Sequence, residues 1–198
     1  MNIELSKYTL RGKVIDVGGG HHPDYFDYLQ KASDAHLDVL DGSMTGIDFE
    51  KDALPYADRS VDTIIFCNIL EHVYDYRFLV SETARVLSSC GQLLGCVPFW
   101  VGYHPDPHDY FRYTEESLRR ILAEQYAHVM VKRLGSSPVM ANFETIMLSV
   151  PPWVRPPLFL WYSMLDRVFL WLRPKSAQRN PLALFFVASH EAPGGIIS

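Results

Sequence analysis

The sequence predicts an α/β fold built on a mostly parallel sheet, and three observations carry that reading. Short apolar, β-branched runs alternate with longer mixed segments through the first half of the chain, the pattern of strands joined by crossover helices. The first of these runs, KVIDV, passes straight into Gly18, Gly19 and Gly20. The chain of 198 residues suits a single domain, residues 1–198, with one substantial core.

Taken in order, residues 13–17 form the first strand, apolar enough to be buried on both faces. Residues 23–31 supply a short helix, 35–40 a second strand and 46–49 a third. Residues 61–67 (VDTIIFC) are rich in β-branched side chains and bounded by Ser60 and Asn68, so they form the next strand. Residues 75–88 place Phe78, Leu79, Val86 and Leu87 at helical spacing, and Cys90-Gly91 is the expected stop. Residues 92–97 make another strand, ended by Pro98. Thr114 caps a helix over 115–124, with Glu115 and Glu116 suited to its positive end. Residues 128–134 and 182–189 are the last two strands, separated by an apolar, proline-punctuated insertion over 138–180.

Composition narrows the partners. With 18 basic and 23 acidic residues the formal charge is −5, and no Lys/Arg cluster is present to track a phosphate backbone. Nucleic acid is therefore not expected as a partner. Cys67, Cys90 and Cys96 lack CxxC spacing and sit in or beside apolar stretches, which fits reduced, buried thiols. The N-terminal MNIELSKYTLRGK has no apolar signal region, so a cytoplasmic location is the expectation. The most apolar segment, residues 157–172, is 16 residues long with Asp166 and Arg167 in its middle. That falls short of the roughly 20 residues a membrane span needs.

A strand ending in Asp16 and followed by Gly18, Gly19 and Gly20 brings bare backbone amides to the carboxyl edge of a parallel sheet, where ligands bind. The dinucleotide fingerprint GxGxxG is not met, because Pro23 stands where the last glycine belongs. No GKS or GKT follows, which excludes a Walker phosphate loop. The remaining readings are a loop for a ligand without a pyrophosphate and a tight structural turn. His21 and His22 follow, but consecutive side chains on a helix diverge, so they are read as structural or loop-contact residues and no metal is expected.

Three stretches, VIDVGGG (14–20), DALPYADRSVDTIIFCNILEHV (52–73) and ETARVLSSCGQLLGCVP (82–98), together resemble the class I S-adenosylmethionine-dependent methyltransferases, most closely the type-11 group. The resemblance implies a Rossmann-like sheet with an antiparallel last strand, S-adenosylmethionine as cofactor and a methyl acceptor as substrate. The sequence departs from the usual motifs at His22, in place of the last loop glycine, and at Gln92, in place of a turn glycine. Carried over residue by residue, Asp16, Gly18, Gly19 and Gly20 face the methionine part of the cofactor. Asp52 and Ala53 lie beside the adenine, and Asn68 lies next to the bound cofactor. Ribose hydroxyls are best held by one carboxylate accepting from both. Asp38, about 20 residues past the loop, is the first choice for that role and Asp41 the fallback.

The segment HPDPHDYFRYT (104–114) follows the fifth family strand at the same edge, where substrate should approach. His108 is the first candidate for a general base, with His104 second and Tyr110 or Tyr113 shaping the pocket. A lid held by its own hydrogen bonds and an HxDxH metal site at His104, Asp106 and His108 are the competing readings.

In the insertion, Ser163, Asp166 and Arg167 form one narrow polar stripe, so the remaining faces of 157–172 must be covered. Packing over the pocket, a homodimer contact and peripheral docking on a membrane are the alternatives. The expected activity is methyl transfer to an oxygen or nitrogen of a small-molecule acceptor. The alternatives are a carbon, lipid-linked or saccharide acceptor, and a non-catalytic cofactor-binding assembly subunit.

Overall fold

The protein is described here as a computed structural model covering residues 1–20, 23–136, 138–147, 149–174, 176 and 181–192. Its strands are β1 (Thr9–Leu10), β2 (Lys13–Val17), β3 (Gln30–Lys31), β4 (His36–Leu40), β5 (Val61–Cys67), β6 (Leu87–Pro98), β7 (His128–Ser136) and β8 (Pro181–Ser189). Its helices are α1 (Asn2–Leu5), α2 (Gly42–Thr45), α3 (Tyr76–Val86), α4 (Glu115–Ala123), α5 (Pro138–Met147) and α6 (Arg155–Leu172). Six strands form one sheet in the order β4-β2-β5-β6-β8-β7, and β1 pairs with β3 in a separate two-stranded ribbon. The pairs β2–β4, β2–β5 and β5–β6 are parallel, while β8 runs antiparallel to both of its neighbours. The expected order of the last two strands, with the final one inserted antiparallel, is what the sheet shows.

Both faces of the sheet are covered, which is why its central strands read as continuous apolar runs. Ile15, Val17, Ile64 and Phe66 face Leu79 and Val80 of α3 and Leu118 and Leu122 of α4. On the other face Val14, Ile65, Leu94 and Phe185 meet Leu5, Leu10, Tyr25 and Leu29. Side chains that alternate along each strand divide between these two cores. Asp16 falls on the second face and is fully buried there.

Several elements differ from expectation for local reasons. The segment 46–49 is not a strand: Asp41 caps the short helix α2, and Gly46 ends it with a left-handed φ of 73°. β4 is therefore the edge of the sheet. Residues 23–31 form a 3-10 turn, Asp24–Tyr28, and then β3, while His21 and His22 lie outside the described residues. Helix α3 stops at Val86 because Leu87 is already extended at ψ 129°. Gly91 thus sits inside β6, and the β5–β6 register shifts between the Val61 and Thr63 pairings to absorb the extra residues. Cys67 and Cys96 are buried free thiols, whereas Cys90 is exposed, contrary to the expectation for all three. Thr114 caps α4 as predicted, its side chain accepting from the Ser117 amide while Ser117 reaches back to the Thr114 amide.

The motif residues Glu82 and Arg85 have a structural explanation. Glu82 accepts from the Leu54 amide at 2.8 Å and from Arg85 Nη2 at 2.7 Å. Arg85 also donates to the carbonyls of Leu54 and Tyr56, at 3.0 Å each, and to Asp58 at 2.7 Å. One guanidinium thereby fastens the LPYAD crossover onto α3, a fork that no lysine reproduces.

The insertion leaves the sheet at the end of β7 and returns at the start of β8. By the strand directions, both points lie at the edge where the parallel strands end. Within it, α6 packs on α5 through Phe143, whose ring centroid is 5.7 Å from Phe159 and 5.5 Å from Tyr162. The expected cover over the rest of α6 is not present among the described residues: Leu160, Trp161, Met164, Val168 and Trp171 are exposed. No helix among the described residues is long and apolar enough to cross a membrane.

Replacing Arg85 with Ala should destabilise the protein by about 2 kcal/mol in urea unfolding, because a mostly buried carboxylate and two carbonyls lose their donor. Arg85→Lys should recover less than half of that loss.

Candidate functional site

The parallel strands bring their carboxyl ends to one edge, and the candidate residues are distributed along it. Asp16 ends in a buried position where the Tyr25 hydroxyl lies 2.9 Å from Oδ1 and 2.8 Å from Oδ2. Burial pushes the Asp16 carboxyl up to about 7; the hydrogen bond from Tyr25 opposes this, and the nearby charge of Asp41 adds to it. The glycine loop passes directly over this carboxylate. A Cβ at Gly19 would lie 2.1 Å from Asp16 Oδ2, closer than atoms can approach. Gly18 adopts φ 81° and donates its amide to the Leu40 carbonyl at 2.8 Å, tying the loop to the end of β4. The loop thus needs glycine for both close approach and a left-handed turn.

The two candidate ribose acids stand in different places. Asp38 lies within β4, opposite Ile15 in register and exposed, with its charge reaching Tyr56. Asp41 directly follows β4 at the sheet edge. Burial works against its charge, but hydrogen bonds from the Ser43 hydroxyl and amide and from the Met44 and Gly20 amides outweigh it and hold the carboxyl below its usual range. An ionised carboxylate thus touches the glycine loop at Asp41.

Asn68 follows β5 with a left-handed φ of 53°, its amide donating to the Cys96 carbonyl at 2.8 Å. Its side chain is exposed at the same edge. Asp52 and Ala53 are exposed on the crossover from α2 to β5, where Asp52 accepts from the Asp48 amide at 2.9 Å.

Beyond β6, Asp109 organises the segment that carries His104, His108 and Tyr110. It pairs with Arg112 through both oxygens, and it accepts from the His104 amide at 3.0 Å. Arg112 foremost, opposed by partial burial, holds the Asp109 carboxyl well below the usual carboxylate range. This is the self-bonded arrangement expected of a lid. His108 and Tyr110 are exposed, with ring centroids 5.4 Å apart. His104 turns inward: its Nε2 is 4.0 Å from Oε1 of Glu71. Tyr113 is buried and donates to the Leu70 carbonyl at 3.0 Å, so it supports the 3-10 turn Leu70–His72 from below.

Glu71 and His72 are the residues the sequence reading missed. Glu71 is fully buried, yet neither carboxylate oxygen has a hydrogen-bond partner. Burial pushes its carboxyl up to about 7; its own backbone amide, at longer range than a regular hydrogen bond, and then Arg112 oppose this, and Asp109 adds to it. His72 places Nε2 at 3.8 Å from Glu71 Oε1. The signal available was the LEHV turn itself, an acid set between apolar residues that the fold must bury.

A cavity of about 980 Å³ lies at the opposite edge of the sheet, lined in part by Gly12, Asp62, Gly91, Gln92, His128 and Ser189. It is open to the ends at which the parallel strands begin. Open parallel sheets bind their ligands at the other edge, and that is where the glycine loop and the ionised Asp41 stand.

This Rossmann-like fold is shared with solved S-adenosylmethionine-dependent methyltransferases. Residues 24–95 match the sequence profile of the type-11 group, described as a methyltransferase domain. The match spans β4, the crossover, β5 and α3, and it begins after the glycine loop. A comparison with curated protein sequences returned no significant match. Among solved structures, phosphoethanolamine N-methyltransferase 2 of Haemonchus contortus with bound S-adenosyl-L-methionine superposes with a TM-score of 0.55 at 13% identity, over 96% of this chain and 52% of that one. This chain therefore spans about half the length of that enzyme. A SAM-dependent methyltransferase from Archaeoglobus fulgidus gives 0.55 at 14% identity, covering 94% and 88%. The [4+2]-cyclase SpnF gives 0.52 at 13% identity, covering 96% and 80%. At these identities the likeness is one of fold.

The raised carboxyl of Asp16 has a consequence for stability. Its folded value, about 7, lies above the ordinary aspartate value of about 3.9, so its contribution is fully present below pH 4 and is lost as pH rises through 7. Thermal unfolding should show stability falling between about pH 4 and 8, by up to a few kcal/mol from this group. Asp16→Asn should remove that part of the slope.

Proposed function

We propose that the chain transfers a methyl group from S-adenosylmethionine to an oxygen or nitrogen of a small-molecule acceptor. The observation that carries this reading is the cradle at the sheet edge, where the bare Gly18 to Gly20 backbone crosses Asp16 beside an ionised Asp41. The lack of side chains at Gly18 and Gly19 leaves backbone that a cofactor can approach, which fits the methionine portion. S-adenosylmethionine supplies an electrophilic methyl group. The ribose acid is Asp41 rather than Asp38, because the hydroxyls need a charged acceptor at the edge and Asp41 has one there. Asn68 borders the same space from the next strand, and Asp52 and Ala53 serve the adenine.

Methyl transfer places small demands on the protein beyond alignment, since holding the acceptor in line can supply much of the acceleration. Where the acceptor is a hydroxyl or an ammonium, its proton must leave, and His108 is the residue in the lid free to take it. Tyr110 presents an aromatic face beside it, suited to a cationic sulfonium. His104 is drawn away toward Glu71. The uncovered face of α6, rooted at the same edge, suits an apolar acceptor or a second protein surface. The uncovered face of α6 supports a second reading, in which the chain holds the cofactor as a non-catalytic assembly subunit.

Two outcomes test the assignment. Asp41→Asn should weaken S-adenosylmethionine binding at least tenfold by calorimetry, with Asp38→Asn within about threefold of the parent, the loss expected when a charged hydrogen-bond acceptor is removed. With a labelled methyl donor and a panel of hydroxyl, amine and phosphoamine acceptors, His108→Ala should lower kcat while leaving cofactor affinity unchanged. Equal weakening by both Asp variants would return the ribose role to an open choice, and no label transfer to any acceptor would favour the non-methylating reading.

A further inference from the structure

The geometry points to a divalent metal site at Glu71, His72 and His104, which would take a zinc-class ion through the carboxylate and the Nε2 atoms of the two histidines. These three residues come from two neighbouring loops, the turn after β5 and the segment after β6, and their ligand atoms all lie within 4.8 Å of one another. Among the described residues this is the group of His, Cys, Asp and Glu side chains that converges. The HxDxH spacing read from the sequence contributes only His104 to it.

Three features make the cluster a built site. First, Glu71 is fully buried and both its oxygens are without hydrogen-bond partners. Leaving a carboxylate unanswered in a protein interior costs several kcal/mol, and a cation answers it. Second, both histidines are held in the tautomer a metal needs. The Nδ1 of His72 bonds the His108 carbonyl, and the Nδ1 of His104 lies 2.8 Å from the Gly102 carbonyl. A carbonyl only accepts, so Nδ1 of His72 carries the proton and its Nε2 presents a lone pair, while the shorter contact of His104 Nδ1, to the Gly102 carbonyl rather than to Arg112 Nη2 at 3.3 Å, favours the same tautomer there. Third, both Nε2 atoms approach the same carboxylate oxygen, at 3.8 Å and 4.0 Å. These distances are too long for hydrogen bonds. Two ligands held about 2.1 Å from one ion at a tetrahedral angle stand about 3.4 Å apart, so each histidine needs to approach the carboxylate by about half an ångström.

The ligand chemistry sets the class of ion. Two imidazoles and one carboxylate favour zinc and its first-row neighbours over calcium and magnesium, which prefer all-oxygen shells. Three protein ligands leave a coordination position open. His104, the partly exposed member of the set, marks the side from which solvent reaches it. That position would suit an acceptor oxygen, a use that rests on the methyl-transfer reading, whereas metal uptake does not.

The test is direct loading. Purified protein is stripped with a chelator, dialysed against Zn²⁺ or Co²⁺, washed and analysed for bound metal and for the visible absorption of Co²⁺. One equivalent is expected, with d–d bands of a low-coordinate nitrogen and oxygen site and a raised Tm. His104→Ala and Glu71→Gln should each lower uptake at least tenfold, and His36→Ala, an exposed histidine at the start of β4, should leave it unchanged. Uptake well below one equivalent would overturn the site, as would uptake equal to the parent in both ligand variants. A thiolate-to-metal charge-transfer band would also overturn it, by placing the ion on a cysteine. S-adenosylmethionine binding, measured separately on the stripped protein, reports on the methyl-transfer reading alone.

Discussion

The constraint on which the rest of the structure depends is the placement of β2 between β4 and β5, parallel to both. Each parallel pair requires the chain to cross back over a face of the sheet before the next strand begins, and this delivers every carboxyl end to one edge. The glycine loop, Asp41, Asn68, the turn Leu70–His72 and the segment after β6 are neighbours for that reason. They are spread over about ninety residues of sequence, and only the sheet brings them together. The antiparallel return of β8 then leaves both ends of the helical insertion at this edge as well.

Several buried or partly buried acids among the described residues have been answered by the fold. Glu82 has Arg85, Asp109 has Arg112, and Asp16 has the Tyr25 hydroxyl. The first two pairs do mechanical work, fastening a crossover to a helix and holding the segment after β6 to itself. Asp16 sits under a loop whose glycines leave no room for a side chain. Glu71 is as deeply buried as any of them and has two lone-pair nitrogens facing it instead of a donor. Glu71 is fully buried with both oxygens unpartnered, whereas Asp166 is partly exposed and leaves one oxygen so, and this is why the cluster around Glu71 reads as a binding site.

Much of the architecture was legible in the sequence because it rests on patterns that residue types carry. Strands such as VDTIIFC, the Thr114 cap and the antiparallel final strand all followed from periodicity, capping chemistry or family motifs. What was misread depended on where elements stop. The choice between Asp38 and Asp41 turns on where β4 ends, since Asp38 lies within that strand and Asp41 directly follows it. The strand expected over 46–49 failed because Asp41 and Gly46 together supply both caps of a short helix. Gly91 resembled a helix stop but lies in a strand that begins with no intervening turn. Glu71 and His72 were quoted as part of a motif and passed over, since burial without a partner is a property of the folded chain and is not visible in the letters LEHV.

The central claim is that the glycine cradle binds S-adenosylmethionine, and calorimetric titration with that cofactor and with S-adenosylhomocysteine tests it most directly, with NAD and ATP as controls. The account predicts one saturable site for the first two ligands and no heat of binding for the controls, since the loop lacks both the dinucleotide fingerprint and the Walker lysine. Absence of binding by either methionine-derived ligand, or binding of NAD with equal affinity, would contradict it.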